Sequence, residues 1–253
     1  MAKIIAITNQ KGGVGKTTTA TALAAGLNRK GKKALLIDTD PQCNSTDTYR
    51  AQTEDVATLY DVLCEDEPAS TSIQHTETGD ILAADRLLVN AASRLPSVGS
   101  NNVLKMALQP VLGLYDYIII DTPPTLGVLL ANALTAADTV IVPLSPDRYS
   151  LQGLADLYKS IREAQKYTNP TLTVEGVLLT QYNGRTNLSK DITADLPNIA
   201  QGMQTVVFDT RIRLSVAAKE AQALQRSLFD HAPNSTTAQD YMQLVNELLE
   251  RGI

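Results

Sequence analysis

The sequence predicts a single α/β domain in which a mostly parallel, twisted sheet is flanked by helices on both faces. Short apolar runs of strand length alternate with longer segments of helical periodicity, the order that right-handed βαβ crossovers produce. Of the 253 residues 43% are hydrophobic but only 4% are aromatic, and tryptophan is absent. Such an aliphatic composition suits strands that are buried on both faces. Because no repeat or flexible linker divides the sequence, one domain over residues 1–253 is the simplest account.

The first elements are a strand, a loop and a helix. Residues 4–7 are apolar and predict a buried strand, and glycines at positions 12, 13 and 15 follow it as a loop. Residues 17–28 then carry Ala and Leu at helical spacing. We expect this helix to end at the basic run 29–32, because cations are favourable at the negative end of a helix and Gly31 can adopt the left-handed cap.

The remaining elements are predicted from the same patterns. Further strands are expected at residues 34–37, 82–84, 117–121, 139–143, 174–180 and 205–208. Helices are expected at residues 59–63, 129–137, 151–166, 188–196, 214–226 and 236–251. Residues 52–79 are polar and weakly patterned, so we expect a surface excursion there.

Charge and cysteine content exclude some classes of function. The net charge of −5 argues against a protein that coats nucleic acid through its overall field, but it leaves room for a local basic patch. Cys43 and Cys64 form no CxxC pair and are expected to be reduced thiols. No apolar run is long enough for a signal-peptide core or a membrane span. We therefore expect a cytoplasmic protein.

The loop after the first strand has the chemistry of a phosphate-binding loop. It reads Gln10-Lys11-Gly12-Gly13-Val14-Gly15-Lys16-Thr17-Thr18. Compared with the usual pattern G-x-x-x-x-G-K-[ST], it has Gln10 at the first glycine and a second lysine, Lys11. Glycines let successive N–H groups turn toward phosphates at the positive end of a helix. Lys16 is expected to bind the β- and γ-phosphates, and Thr17 to place its hydroxyl on Mg²⁺.

Carboxylates follow two of the predicted strands. Asp38 and Asp40 come after the second strand, and Asp121 ends the run of isoleucines at 118–120. Ligands of such sheets bind at the carboxyl ends of the strands, where a Mg²⁺ site would need these groups. Each carboxylate alone is more often a solvated residue or a helix cap, but the phosphate loop beside them favours a nucleotide site over a ligand-free turn.

Three segments together resemble the signature segments of the ParA/MinD ATPases, which have a deviant Walker A motif. They are Lys11-Gly12-Gly13-Val14-Gly15-Lys16-Thr17-Thr18-Thr19, Asp38-Thr39-Asp40-Pro41-Gln42 and Tyr117-Ile118-Ile119-Ile120-Asp121-Thr122-Pro123-Pro124. The resemblance continues through Asn132-Ala133-Leu134, residues 140–143 and 176–180, and Ile212-Arg213-Leu214-Ser215. It spans nearly the whole chain and is closest to the Soj-like partition ATPases, which lack an N-terminal helix-turn-helix.

The resemblance implies a mechanism with ATP and Mg²⁺ as cofactors. In that family ATP binding closes a homodimer around two nucleotides, and Lys11 would reach across to the ATP of the second subunit, as an arginine finger does. Asp40 would orient or activate the attacking water, and Asp121 would hold Mg²⁺ through water. The implied catalytic residues are Lys11, Lys16 and Asp40, and the implied metal site comprises Thr17, Asp38 and Asp121. The implied nucleotide-binding residues are those from Lys11 to Thr18.

Two positions depart from the family pattern. Position 43 is Cys where the family usually has Gly, which affects how closely that loop can approach the nucleotide. The proline that usually precedes the last signature is missing from Phe208-Asp209-Thr210-Arg211. That segment usually helps to surround the adenine, so no base contact is assigned to it.

Other branches of the family fit less well. Iron–sulfur carriers need cysteines at the dimer face, and the tyrosine-kinase branch has a C-terminal tyrosine cluster, whereas the nine tyrosines here are scattered. Membrane cycling of the MinD type needs a basic amphipathic C-terminal helix, but residues 247–253 carry two acids and one base. No stable membrane association is therefore expected.

The partition branch implies DNA and a protein as partners. Its ATP-bound dimers bind DNA without sequence preference, which would place the protein on the nucleoid, and a ParB-like centromere-binding protein stimulates hydrolysis. Arg213 matches the DNA-contacting position of the family, and Arg211, Lys219 and Arg226 could lie near it. Ordinary solvated cations are the alternative, because this region has nearly as many acids as bases. The second hypothesis for function is a related ATPase that positions a cargo other than DNA.

Overall fold

The computed structural model describes the backbone of residues 1–253 and all side chains except those at positions 148, 149, 151, 152, 187 and 188. One sheet contains β1 (Lys3–Ile7), β2 (Ala34–Asp38), β3 (Ile73–His75), β4 (Asp80–Leu82), β5 (Tyr117–Asp121), β6 (Thr139–Leu144) and β7 (Thr173–Leu179). The strand order is β3-β4-β2-β5-β1-β6-β7. Every neighbouring pair is parallel except β3 with β4. The predicted α/β fold class is confirmed.

Helices connect the strands and cover both faces of the sheet. They are α1 (Lys16–Arg29), α2 (Asn44–Thr48), α3 (Leu59–Cys64), α4 (Ala69–Ser72), α5 (Ala91–Arg94), α6 (Val103–Leu108), α7 (Val128–Ala136), α8 (Arg148–Tyr167), α9 (Asn187–Gly202), α10 (Val216–Ala223), α11 (Leu228–His231) and α12 (Thr236–Glu250). As predicted, α1 ends in the basic run, and Gly31 takes the left-handed conformation with φ 77°.

The core lies in two layers because alternate residues of each strand point to opposite faces of the sheet. Ile5 and Ile7 of β1 pack with α1 and with Leu244 of α12 on one face. Ile4 and Ala6 pack on the other face with residues of α7 and α8. All of these side chains are buried. The predicted aliphatic core is therefore confirmed, and it holds the central strands rigidly beneath the loops that follow them.

Parallel pairing brings the carboxyl ends of three strands together. β5 lies between β1 and β2, and its last residue, Asp121, is level with Ile7 of β1 and with Asp38 of β2. The loop that follows β1 therefore leaves the sheet next to Asp121, and Asp38 lies one strand further away. This register places the candidate phosphate loop beside the candidate metal site.

The edges of the sheet differ from the sequence prediction. The predicted strand at 82–84 lies at Asp80–Leu82 and pairs with β3, a short strand that the sequence did not predict. The predicted strand at 205–208 is wrong, since only a single parallel bridge joins Val207 to Val177. The pairing stops there because the next two N–H groups, of Asp209 and Thr210, donate to the carboxylate of Glu247 on α12.

Candidate nucleotide-binding and hydrolysis site

The loop between β1 and α1 is shaped by glycines in the left-handed conformation. Gly13 has φ 75° and Gly15 has φ 86°, values that side-chain-bearing residues adopt only with strain. Gly15 is also the N-cap residue of α1. Because glycine has no side chain to cap the helix, the first N–H groups of α1 are left for an anion. The loop thus has the backbone geometry of a phosphate site.

Lys16 lies buried at the floor of this loop. Only 7% of the residue is exposed, and its Nζ donates to the carbonyl of Lys11 at 3.1 Å. Burial lowers the pKa of Lys16, while the negative charges of Asp121 and Asp40 act in the opposite direction. The two carboxylates attract the ammonium group from a distance, and phosphate oxygens at the loop would give it direct charged partners.

Asp38 and Asp121 lie side by side at the strand ends, fully buried. One oxygen of Asp38 accepts from the N–H of Asp40 at 3.0 Å, and the other accepts from the N–H and the hydroxyl of Thr46, both at 2.9 Å. Burial first, and then the charge of Asp121, raises the pKa of Asp38. Asp38 therefore fixes the backbone of the segment that carries Asp40, and its predicted place in the metal site stays a prediction.

Asp121 has an oxygen available for a metal ion. Its Oδ2 accepts from the hydroxyl of Ser45 at 2.8 Å, whereas its Oδ1 is buried without a hydrogen-bond partner among the side chains that the structure describes. Burial raises the pKa of Asp121, although the hydroxyls of Ser45 and Thr17 partly offset this effect. Mg²⁺ prefers oxygen ligands, one or two of them carboxylates. An orphaned carboxylate oxygen near the Thr17 hydroxyl fits that requirement.

Asp40 lies in the segment that follows β2. It is 8% exposed and lines the cavity in front of the loop, where its Oδ1 accepts from the N–H of Gln42 at 3.0 Å. Three residues later Cys43 has φ 57°, in the left-handed region. The family's usual glycine at this position would adopt that conformation without strain, so Cys43 keeps the loop shape at an energetic cost.

A cavity of about 570 Å³ joins these groups. Its floor comprises Gly12, Gly13, Gly15, Lys16, Thr17, Thr18 and Asp40. The opposite wall is formed by the start of α10 with the segment before it, and by Tyr241 of α12. The hydroxyl of Tyr241 also bonds that of Thr19 in α1 at 3.1 Å. The volume suits a nucleotide-sized ligand, with phosphates at the loop and the remainder toward α10.

Lys11 forms hydrogen bonds and an ion pair with residues of its own chain. Its N–H donates to Asn9 Oδ1 at 3.0 Å, and its Nζ contacts Asp147 Oδ1 at 2.5 Å and Ser150 Oγ at 3.1 Å. Burial alone would raise the pKa of Asp147, but hydrogen bonds from Lys11, Ser145 and Ser150 hold it well below its usual range. Lys11 is thus paired with a carboxylate that follows β6.

Comparisons with known proteins agree with this geometry. The chain matches the family model described as an AAA domain over residues 2–174. It is 41% identical to the sporulation initiation inhibitor protein Soj of Bacillus subtilis, with both chains covered completely. It is also 38% identical to the chromosome-partitioning ATPase Soj of Thermus thermophilus, over 98% of this chain and 95% of that protein. The chain belongs to the ParA/MinD family of P-loop ATPases.

The structural similarity extends over the same length. The cobyrinic acid a,c-diamide synthase of Mycobacterium smegmatis, solved with a bound ATP analogue and magnesium, has a TM-score of 0.86 and 32% identity. The alignment covers 99% of this chain and 96% of that one. As a ParA/MinD protein the chain is an ATPase, and ATP and Mg²⁺ are its cofactors. Within the part that the structure describes, no helix is both long and apolar enough to cross a membrane.

The basic residues assigned to DNA lie in different surroundings. Arg213 makes a bidentate ion pair with Asp240 of α12, at 2.6 Å for the shortest contact, and half of its side chain is exposed. Arg211 stacks on the ring of Tyr182, 5.1 Å from the centroid. Lys219 is exposed on α10 at the rim of the cavity. Arg213 and Lys219 share the cavity wall, which does not include Arg211.

The structure adds residues that sequence reasoning missed in this ParA/MinD site. Asp147 follows β6 and could have been found by the rule that identified Asp38 and Asp121, because it too is a carboxylate after a strand. Thr180 and Gln181 follow β7 and contact the phosphate loop. Their residue types carry no comparable sequence signal.

Proposed function

We propose that this ParA/MinD protein is a partition ATPase, one domain over residues 1–253, that dimerises around ATP and binds DNA in that state. The observation that carries the proposal is the second lysine of the loop. Lys11 is directed to Asp147 rather than to the phosphate cradle of its own subunit, which Lys16 already serves. From this position Lys11 can contribute to hydrolysis if its ammonium group reaches the nucleotide of a second subunit.

Within each site, the residues have distinct roles. The N–H groups of the loop and Lys16 bind the phosphates, and Thr17 with Asp121 holds Mg²⁺, with Asp38 supporting the segment behind them. The metal ion neutralises phosphate charge and orients the terminal phosphoryl group. Asp40, which lines the cavity, orients the attacking water. Lys11 from the second subunit supplies the last positive charge to the transferring group.

The contact between Lys11 and Asp147 makes dimerisation a switch. In the single chain this ion pair keeps Lys11 away from the nucleotide. When the dimer forms, the ion pair must break so that Lys11 can contact a phosphate of the second subunit. Triphosphate carries more negative charge than one carboxylate, so ATP favours the exchange. Hydrolysis then removes the terminal phosphate. The attraction between Lys11 and the nucleotide of the second subunit becomes weaker as a result.

DNA binding is assigned to the surface around α10. Lys219 is an exposed cation on α10, and Arg211 is exposed in the segment that precedes α10; both are available to phosphate oxygens. Arg213 contributes less field than its sequence position suggests, since Asp240 balances its charge. Its remaining exposed half can still donate to a phosphate. Two subunits related by a two-fold axis would double this basic surface and make non-specific binding steeply dependent on salt.

An ATP-dependent DNA shift assay tests the proposal. The protein with ATP and Mg²⁺ is expected to retard duplexes of unrelated sequence, and retardation should be lost with ADP, in Lys11→Ala and at high salt. A ParB-like partner should raise the rate of hydrolysis. If the protein dimerises with ATP but leaves DNA unretarded at low salt, the partition proposal is wrong and an ATPase that positions another cargo becomes the better account.

A further inference from the structure

We propose that Thr180 and Gln181, which follow β7, are positioning residues that aim two backbone N–H groups of the phosphate loop at the nucleotide. The proposal concerns ATP binding alone and does not depend on DNA or on a second subunit. Thr180 ends a segment of the family resemblance to which the sequence assigned no role, and Gln181 lies just beyond that segment.

Both side chains hold carbonyl groups of the loop. The hydroxyl of Thr180 donates to the carbonyl of Val14 at 2.7 Å, and the side-chain amide of Gln181 donates to the carbonyl of Gly13. Thr180 is buried, and both residues line the nucleotide cavity. Two consecutive carbonyls of the loop are thus anchored to two consecutive residues at the end of β7.

The planarity of the peptide bond converts these anchors into an orientation of N–H groups. In a trans peptide the C=O and N–H point in opposite directions. The carbonyl of Gly13 shares its plane with the N–H of Val14, and the carbonyl of Val14 shares its plane with that of Gly15. Because both carbonyls are drawn toward β7, these two N–H groups point away from it, toward the concave side where a phosphate loop binds its anion.

The loop needs such external anchors because its own residues constrain it little. A methyl group added at Gly12 or Gly13 would meet no atom within 4 Å, so neither position is fixed by packing. At Gly15 the same added group would lie 3.8 Å from Thr180. Gln181 itself has φ 51°, a strained conformation for a residue with a side chain. Strain of this kind persists where surrounding contacts require it and is concentrated at functional sites.

Gln181→Met is the decisive variant, since it keeps the length of the side chain and removes the donor. We expect the Kd for Mg-ATP and for Mg-ADP to rise about three- to tenfold, the loss expected for one hydrogen bond. The KM should rise with the Kd, while kcat stays within about twofold and the Kd for adenosine is unchanged. Thr180→Val should have the same signature if it folds; if it does not, Gln181→Met carries the test alone.

Gln204→Met is the matched control. Gln204 is another exposed glutamine in the left-handed region, with φ 55°, and it does not line the nucleotide cavity. Titration with a fluorescent ATP analogue and thermal unfolding without nucleotide compare the variants. The proposal is overturned if Gln181→Met binds ATP as tightly as Gln204→Met does. It is also overturned if adenosine affinity falls in parallel with ATP affinity, because the contact would then support the cavity rather than the phosphate N–H groups.

Discussion

Asp147→Asn is expected to release Lys11 from its own subunit and to strengthen ATP-dependent dimerisation. In the single chain, Lys11 Nζ lies 2.5 Å from Asp147 Oδ1 and 3.1 Å from Ser150 Oγ. Asparagine has nearly the same shape and keeps an oxygen for the neighbouring hydroxyls, but it removes the negative charge that holds the lysine. Lys11 would then be free to move toward a second nucleotide without first breaking an ion pair.

The size of the effect follows from the exposure of the pair. Hydrogen bonds to charged groups contribute roughly 1.5–3 kcal/mol when buried, and fully exposed ion pairs contribute about 0.2–1 kcal/mol. The side chains of Lys11 and Asp147 are 29% and 32% exposed, so solvent screening leaves about 1 kcal/mol per subunit. A two-fold dimer breaks two such pairs. The variant should therefore dimerise more tightly by about 2 kcal/mol, or roughly 30-fold in Kd.

Sedimentation velocity with a non-hydrolysable ATP analogue and Mg²⁺ measures this dimerisation constant. Asp156→Asn is the matched control, because it also removes an ion-paired carboxylate, but one that pairs with Lys159 on α8 and not with Lys11. Dimerisation of Asp147→Asn that is equal to or weaker than that of Asp156→Asn would refute the idea that the pair restrains Lys11. Tighter dimerisation without nucleotide would also refute it, because the gain requires a phosphate for Lys11 to reach.

Four further predictions concern single side chains. Lys16→Ala should abolish ATP binding, since it removes the buried cation at the phosphates; measurable binding by calorimetry at micromolar ATP would contradict that role. Asp40→Ala should bind ATP and dimerise but barely hydrolyse ATP, and turnover at the parent rate in a phosphate-release assay would show that Asp40 does not orient water. Lys219→Ala should weaken DNA binding and reduce the slope of log K against log salt by about 2, because each dimer loses two phosphate contacts; an unchanged slope would remove Lys219 from the DNA surface. Cys43→Gly should be more stable than Cys43→Ala by about 1 kcal/mol in urea unfolding, because only glycine relieves the left-handed conformation, and equal midpoints would argue against strain at that position.

The parts of the fold that the sequence predicted are those determined by local burial. Strands β1, β2, β5 and β6 are continuous apolar runs because both faces of a parallel sheet are covered, and that pattern is visible without knowing the neighbours. By contrast, β3 is a strand only because β4 lies beside it. At residues 205–208 the outcome depends on Glu247, a side chain about 40 positions away in the sequence, which takes the N–H groups that would have extended the pairing.

The residues of the candidate site also fall into a group that the sequence predicts and a group that it does not. The glycines, Lys16 and the strand-end carboxylates could be predicted, because phosphate binding and the carboxyl-end rule depend on residue type and local order. The partners of the loop could not, since Asp147 is 136 positions from Lys11 and Gln181 is 168 positions from Gly13. The ion pair between Arg213 and Asp240 could not be predicted either, because the two residues are far apart in the sequence. Sequence patterns predicted which groups form the site, and the fold showed which distant residues contact them.

The balance of charge among the residues of the site has a consequence for ligand selectivity. Among the described side chains, the carboxylates of Asp40 and Asp121 act on one buried ammonium group, that of Lys16. Acidic side chains therefore outnumber the cation, and a nucleotide that arrives without its metal brings still more negative charge into the same space. We therefore expect Mg-ATP to bind more tightly than free ATP, pyrophosphate or inorganic phosphate. The carboxylates proposed to hold the metal would then also disfavour phosphates that arrive without a metal ion.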